Sequence, residues 1–144
     1  MTLNQISVFV ENKPGKLQIL TDVLAANKIN MRALSLAETA DFGIVRIIVD
    51  NVEKTSAVLK AEDYIYTVSK VIGVAIPDEP GGLNRVLRVL AVGGVNVEYM
   101  YAFLGKKLAA HAYMIFHVAD VKKAVAALDA EGIACIVQDD LTDL

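Results

Sequence analysis

The sequence of 144 residues has no tryptophan, one cysteine and three prolines, and each scarcity removes a class of explanation. A lone thiol, Cys135, excludes a disulfide framework within the chain. No apolar run approaches the roughly 18 residues that a membrane-spanning helix needs. The opening Met1-Thr2-Leu3-Asn4-Gln5 lacks a basic-then-apolar secretory pattern, so a soluble cytoplasmic protein is expected. A net charge of −3 supplies no basic field for nucleic acid, and no long like-charge run marks an interaction tail. Arg85, Arg88 and Lys106-Lys107 therefore read as a solvated basic face. RNA-binding sheets stack bases on aromatic side chains, whereas the two candidate strands here read Ile-Ser-Val-Phe-Val and Ile-Gly-Val-Ala-Ile. No phosphate loop, metal-ligand spacing or nucleophile–base set is visible, so neither metal nor cofactor is expected.

What is present is a repeat. Glu11-Asn12-Lys13-Pro14-Gly15-Lys16-Leu17 returns 66 positions later as Pro77-Asp78-Glu79-Pro80-Gly81-Gly82-Leu83. The same shift carries Ile6, Val8, Val23, Leu24, Ala25 and Asn30 onto Ile72, Val74, Val89, Leu90, Ala91 and Asn96. Later the shift is 69, carrying Val49, Val52, Lys54, Leu59 and Glu62 onto Val118, Val121, Lys123, Leu128 and Glu131. Pro-Gly and a distant Asn recurring together make this an internal duplication, with modules at 1–70 and 71–144. A three-residue difference in one hairpin accounts for the change of shift, since such a loop crosses no core.

Periodicity then assigns the elements. Ile6, Val8 and Val10 alternate as a strand. Pro14 suits a first helical position, and Leu17, Leu20, Val23 and Leu24 recur at helical spacing up to Asn27, which is expected to close the helix left-handed. Strands follow at 31–38 and 44–49, a helix at 52–61 capped by Asp50-Asn51, and a strand at 64–71. The second half reads as strand 71–76, helix 83–92, strand 96–104, a hairpin at Gly105-Lys106-Lys107, strand 110–118, helix 121–131 after Asp120, and strand 133–137. Each half is βαββαβ. The stretch 64–76 is an almost unbroken β pattern with no linker in it, so the modules are expected to pack as one unit.

Each Pro-Gly loop opens a helix, where unpaired N–H groups and the positive end of the helix dipole can receive a carboxylate. Gly15 and Gly81 permit close approach, and Asn12, Asn30 and Asn96 each offer a donor and an acceptor. An equally physical reading makes Pro-Gly a plain turn and the later Asn residues plain helix exits. His111 and His117 lie six apart on one strand, about 20 Å, too far for one chelate. They are expected to be exposed or interfacial, Cys135 to be an inert strand residue, and Tyr99, Tyr101 and Tyr113 to pack.

The motif Glu11 to Leu17 with Lys28-Ile29-Asn30-Met31 resembles the ACT domain, especially the serine-sensing one of phosphoglycerate dehydrogenase. Pro80-Gly81-Gly82-Leu83 with Gly94-Val95-Asn96-Val97 is similar to a further copy. The resemblance implies an α+β fold of two ferredoxin-like modules and a regulatory protein without catalysis. It further implies that a free amino acid binds at the seam of paired modules, contacted by Asn12, Pro14, Gly15, Leu17, Asn30, Asp78, Gly81, Leu83 and Asn96. Val10 and Ile76 stand where the family carries a ligand-contacting histidine. The first loop, with Lys13 and Lys16, is expected to take the carboxylate with Asn96 facing it; the second, with Asp78 and Glu79, is expected to be the weaker site. A metabolic enzyme and a second copy of the chain are the other expected partners, nucleic acid and membrane are not. A ligand-free subunit that binds an enzyme through its sheet is the alternative.

Overall fold

The computed structural model describes residues 1–103 and 111–142. The elements are β1 (Leu3–Glu11), α1 (Lys16–Ala26), β2 (Met31–Glu38), β3 (Phe42–Val49), α2 (Val52–Ala61) and β4 (Ile65–Pro77), then α3 (Gly82–Val92), β5 (Val97–Ala102), β6 (His111–Val118), α4 (Val121–Ala130) and β7 (Cys135–Ile136), and a closing 3-10 turn at Gln138–Thr142. The expected hairpin Gly105-Lys106-Lys107 lies outside the described residues. Two compact units emerge: Asn4–Ser69, and Lys70–Leu144 together with Met1–Leu3.

In the first unit β1 and β2 both pair antiparallel with β3. Ile6, Val8 and Val10 from β1 meet Val45, Ile47 and Val49 from β3 and Leu20, Leu24 and Leu59 from the helices. Burying a side chain of this size contributes about 1.5–3 kcal/mol. Thr55 is buried among them because its hydroxyl donates to the Asn51 carbonyl at 2.7 Å. In the second unit the order is β7-β4-β6-β5, all antiparallel. Its core repeats the first at the shifted positions: Ile72, Val74, Ile76, Val86, Leu90, Phe116, Val118 and Leu128, with Ala124 replacing Thr55. Even the irregularities repeat, with bulges between Met31 and Ala33 and between Val97 and Tyr99. Gly73 is bare because Leu3 and Ile136 cover it: a Cβ there would meet Leu3 Cδ1 at 2.8 Å.

The helix ends depart from the sequence reading in two places. Pro14 is not the first helical residue. Lys16 N–H donates to the Lys13 carbonyl at 3.3 Å, and Gly15 sits at φ 82°, ψ −12°, which gives the tetrad the form of a type II turn with Pro second and Gly third. Ile19 N–H then takes the Gly15 carbonyl at 3.0 Å, so Gly15 is the N-cap. The second copy is the same, with Gly81 at φ 89° and Arg85 N–H on Gly81 at 3.0 Å. Nor is Asn27 left-handed: its φ is −92°, its side chain donates to the Val23 carbonyl, and Lys28 takes the positive φ of 54°. The four α-helices among the described residues end alike, with Ile29, Tyr64, Val95 and Ile133 N–H reaching back to Leu24, Leu59, Leu90 and Leu128 carbonyls.

The final strand is shorter than the pattern 133–137 suggests. Val137 N–H is taken by the Asp140 carboxylate at 2.9 Å while Asp140 N–H returns to the Val137 carbonyl, so the ladder stops and the 3-10 turn begins.

Gly82 has a packing role that its partner in the repeat, Lys16, lacks: a Cβ at Gly82 would overlap the Pro77 carbonyl oxygen. Gly82→Ala should therefore destabilise the protein by about 1–3 kcal/mol through overpacking, read as a lowered urea midpoint. Gly81→Ala meets open space and carries only the left-handed penalty of about 1–2 kcal/mol. Lys16→Ala should be close to neutral, and an equal effect from Lys16→Ala and Gly82→Ala would refute the assignment.

Candidate functional site: the cleft beside the first Pro-Gly loop

β1 ends at Glu11 opposite Phe42, and the chain reverses through the turn at Pro14 and Gly15 before α1. β2 ends at Glu38 opposite Gly43. Between the loop and this hairpin lies a cleft of about 170 Å³, lined by Val10, Glu11, Asn12, Lys13, Leu17, Leu36, Glu38 and Gly43. Gly43 stands directly across from Val10, and a Cβ on it would press Leu36 Cδ1 at 3.0 Å. Its bareness keeps the cleft open. The loop is tied to the hairpin twice, by Asn12 N–H to the Asp41 carbonyl and by Asn12 Nδ2 to the Thr39 carbonyl, each at 3.1 Å. The Asn12 Oδ1 acceptor makes no hydrogen bond among the described residues.

The positive charges of the loop are held by one carboxylate. Glu11 bridges both lysines, at 2.6 Å from Lys13 and 3.4 Å from Lys16. Hydrogen bonds from Lys13, then Lys16, hold the Glu11 carboxyl below the usual carboxylate range, and the same contact raises the Lys13 ammonium. The Glu11 contribution to stability is present above its unfolded pKa and fades as pH falls through the folded one. That of Lys13 is present below its unfolded pKa and fades as pH rises through the folded one. Being exposed, these pairs order the loop more than they stabilise the fold.

Of the sequence-predicted residues, Asn12 and Leu17 line the cleft, while Pro14 and Gly15 form the turn behind it and are exposed. Asn30 precedes β2, whose Met31 pairs with Val49, so it lies at the far end of its own unit, roughly 20 Å from the loop. There its amide donates to Asp50, which Arg32 also binds at 2.6 Å. Asn96 likewise precedes β5 at the end away from Pro77 within its unit. Asp78 and Gly81 are exposed, and Leu83 packs against the second core. The sequence reading missed Leu36, Glu38 and Gly43. Alternation along β2 puts Leu36 and Glu38 on one face, but only the β1–β3 register brings Gly43 to Val10. α1 and α3 start without a side-chain cap, whereas Asn51 and Asp120 cap α2 and α4 by accepting from Lys54 and Lys123 N–H. The bare helix starts are those after Pro-Gly.

The other candidates are separate from this site. His117 pairs with Glu98 at 2.5 Å and stacks on Tyr99, with ring centroids 4.7 Å apart. Burial pushes the Cys135 thiol up, away from thiolate reactivity. Among the described residues no three His, Cys, Asp or Glu side chains converge on a metal position, and no helix is long and apolar enough to cross a membrane.

Lys13→Ala removes the larger of the two contacts on Glu11. Carboxyl-detected NMR should then show Glu11 titrating at higher pH than in the parent, with a further rise on adding Lys16→Ala. An unchanged Glu11 titration would mean the bridge does not form in solution.

The sequence matches the ACT domain pair family over residues 1–144. No curated protein matches it. Among solved structures, protein BT0572 from Bacteroides thetaiotaomicron superposes with a TM-score of 0.91 at 35% identity, covering 100% of this chain and 98% of that one. The regulatory subunit of aspartate kinase from Thermus thermophilus, in its ligand-free form, gives 0.63 at 16% identity over 90% of this chain and 91% of that one. Aspartate kinase from Synechocystis gives 0.58 at 18% identity, covering 93% of this chain and 26% of that larger one. The last two are likenesses of fold. With duplicated βαββαβ order, repeated Pro-Gly turns and a family match along its whole length, the chain belongs to the ACT domain pair family.

Proposed function

We propose that this ACT domain pair is a regulatory protein that binds a free amino acid beside its first Pro-Gly loop and performs no chemistry of its own. The observation that carries the reading is the lining of the cleft, which holds both signs of charge and an apolar wall in a small volume. Lys13 and the uncapped start of α1 suit a carboxylate; Glu11, Glu38 and the Asn12 acceptor suit an ammonium; Val10, Leu17 and Leu36 suit a side chain. With Glu11 between two lysines the loop keeps a net positive charge, whereas Asp78 and Glu79 make the second loop negative. That difference favours the first loop for the carboxylate. Ligand binding would act by shifting the balance between arrangements that an enzyme partner distinguishes, a coupling typically of about 1–3 kcal/mol. The likeness to an aspartate kinase regulatory subunit supports a metabolic enzyme as the partner.

A second reading, a ligand-free subunit that docks on an enzyme, is favoured by one observation. Phe42 is 40% and Ile65 73% exposed, and both line an apolar hollow with Phe9 on the first unit.

At least one of the twenty amino acids should raise the melting temperature, by about 2.7 kcal/mol of linkage at a hundredfold excess over its Kd. Calorimetry with that amino acid should show Asn12→Ala weakening binding by about 1–3 kcal/mol, and Asp78→Ala changing it little. Asn96→Ala tests the expected second contact in the same assay. Equal losses from Asn12→Ala and Asp78→Ala would remove the first loop from the site, and a flat response to all twenty would favour the docking reading.

A further inference from the structure

The duplication supplies an internal control at another place, the flank where the helix after the Pro-Gly loop faces the segment entering the last strand. In the first unit this flank is mainly apolar and carries two hollows, of about 190 and 400 Å³, to which Phe9, Val10 and Glu11 are common. Phe9 and Phe42 pack with ring centroids 6.0 Å apart, and Ile19 is 51% and Ile65 73% exposed beside them. In the second unit the matching residues enclose a cleft of about 240 Å³. Ala75 stands where the first unit has Phe9, Ala134 where it has Ile65, and Gly82 where it has Lys16. Val86 for Leu20, Gly132 for Asp63 and Ile133 for Tyr64 are smaller as well.

Two other changes at this flank bring in nitrogen donors, and a third, Pro77 for Glu11, removes a carboxylate. Arg85 replaces Ile19 and His111 replaces Phe42, and both line the cleft. Among the described residues neither side chain is in an ion pair or hydrogen bond, and none that lines the cleft is a carboxylate. Two hydrophobes have given way to a guanidinium and an imidazole that have no partner among the described residues. Both side chains are exposed at the cleft, where either can reach a solute.

We infer that the cleft between Arg85 and His111 binds a small oxyanion, a phosphate or carboxylate group. The planar guanidinium offers a two-pronged donor fork that matches either group, and the imidazole adds another N–H. The volume is below the usual range of about 300–1,000 Å³ for drug-sized ligands, so the cleft suits the anionic group of a metabolite rather than a whole cofactor. The site is independent of the amino-acid cleft. It lies in the other unit and shares no residue with it.

The test is NMR on the full chain at fixed pH and ionic strength, titrating inorganic phosphate and, separately, succinate. The Arg85 Nε–Hε and His111 ring signals should shift saturably with at least one of them. A response to phosphate alone assigns a phosphate group, to succinate alone a carboxylate, and to both a site for either. Arg85→Ala should weaken the binding at least tenfold. Arg85→Lys, which keeps the charge and loses the fork, should weaken it measurably, and serves if the alanine variant folds poorly. Neither variant should alter amino-acid binding, which reports on Asn12, so this inference and the proposed function can fail separately. Shifts that never saturate, or equal affinity in both Arg85 variants and the parent, would overturn it.

Discussion

A left-handed glycine following a proline, at Gly15 and again at Gly81, is the constraint on which each half of this protein depends. A strand that ends at the sheet edge must send its helix back across one face, and here it does so within four residues. Pro sets the first bend, and Gly alone reaches the positive φ of the second without steric cost. The reversal puts Leu20 and Leu24, or Val86 and Leu90, over the β cores that await them. It also has a chemical by-product. A turn that spends its N-cap position on a glycine has no side chain there to accept from the first helical N–H groups. The two helices that follow Pro-Gly start without a side-chain cap, while α2 and α4, which begin at Asn51 and Asp120, are closed off.

Duplication preserved this frame and let its margins diverge. Most core positions vary only in size, and where Thr55 becomes Ala124 the hydroxyl and its Asn51 bond disappear together. The margins change in character. Glu11, Lys13 and Lys16 give the first loop a bridged set of charges, and the second has Pro77, Glu79 and Gly82 instead. Gly82 is also held by packing, because the Pro77 carbonyl occupies the space of a side chain. A lysine could not simply be restored there. The asymmetry between the loops is thus structural as well as electrostatic.

Much of this was legible in the residues. Strict alternation in β1 and β3 and the 3-4 spacing of Leu17, Leu20 and Leu24 identify the layers, because burial on one face forces those periods. Asn51 and Asp120 announce their helices since a short side-chain acceptor is what an N-terminus lacks. Errors fell where two local rules competed. Pro14 satisfies both a helical first position and the second position of a type II turn, and the glycine after it decides for the turn. Asn27 tolerates a left-handed φ, yet its amide binds Val23 and the left-handed place passes to Lys28. Val137 has strand character, but Asp140 captures its N–H first.

Sequence by itself determined the duplication, the βαββαβ order of each half, the core faces and the two Pro-Gly loops, because each follows from spacing along the chain. Tertiary structure decided what those loops face. Gly43 opens the first cleft only because the β1–β3 register sets it opposite Val10, and Leu36 and Glu38 reach that cleft only through the hairpin. Arg85 and His111 are 26 residues apart and share a cleft only because β4 pairs Pro77 with His111 beneath the start of α3. Periodicity reports which face a residue takes, whereas register and crossover choose its neighbours, and binding chemistry depends on the neighbours.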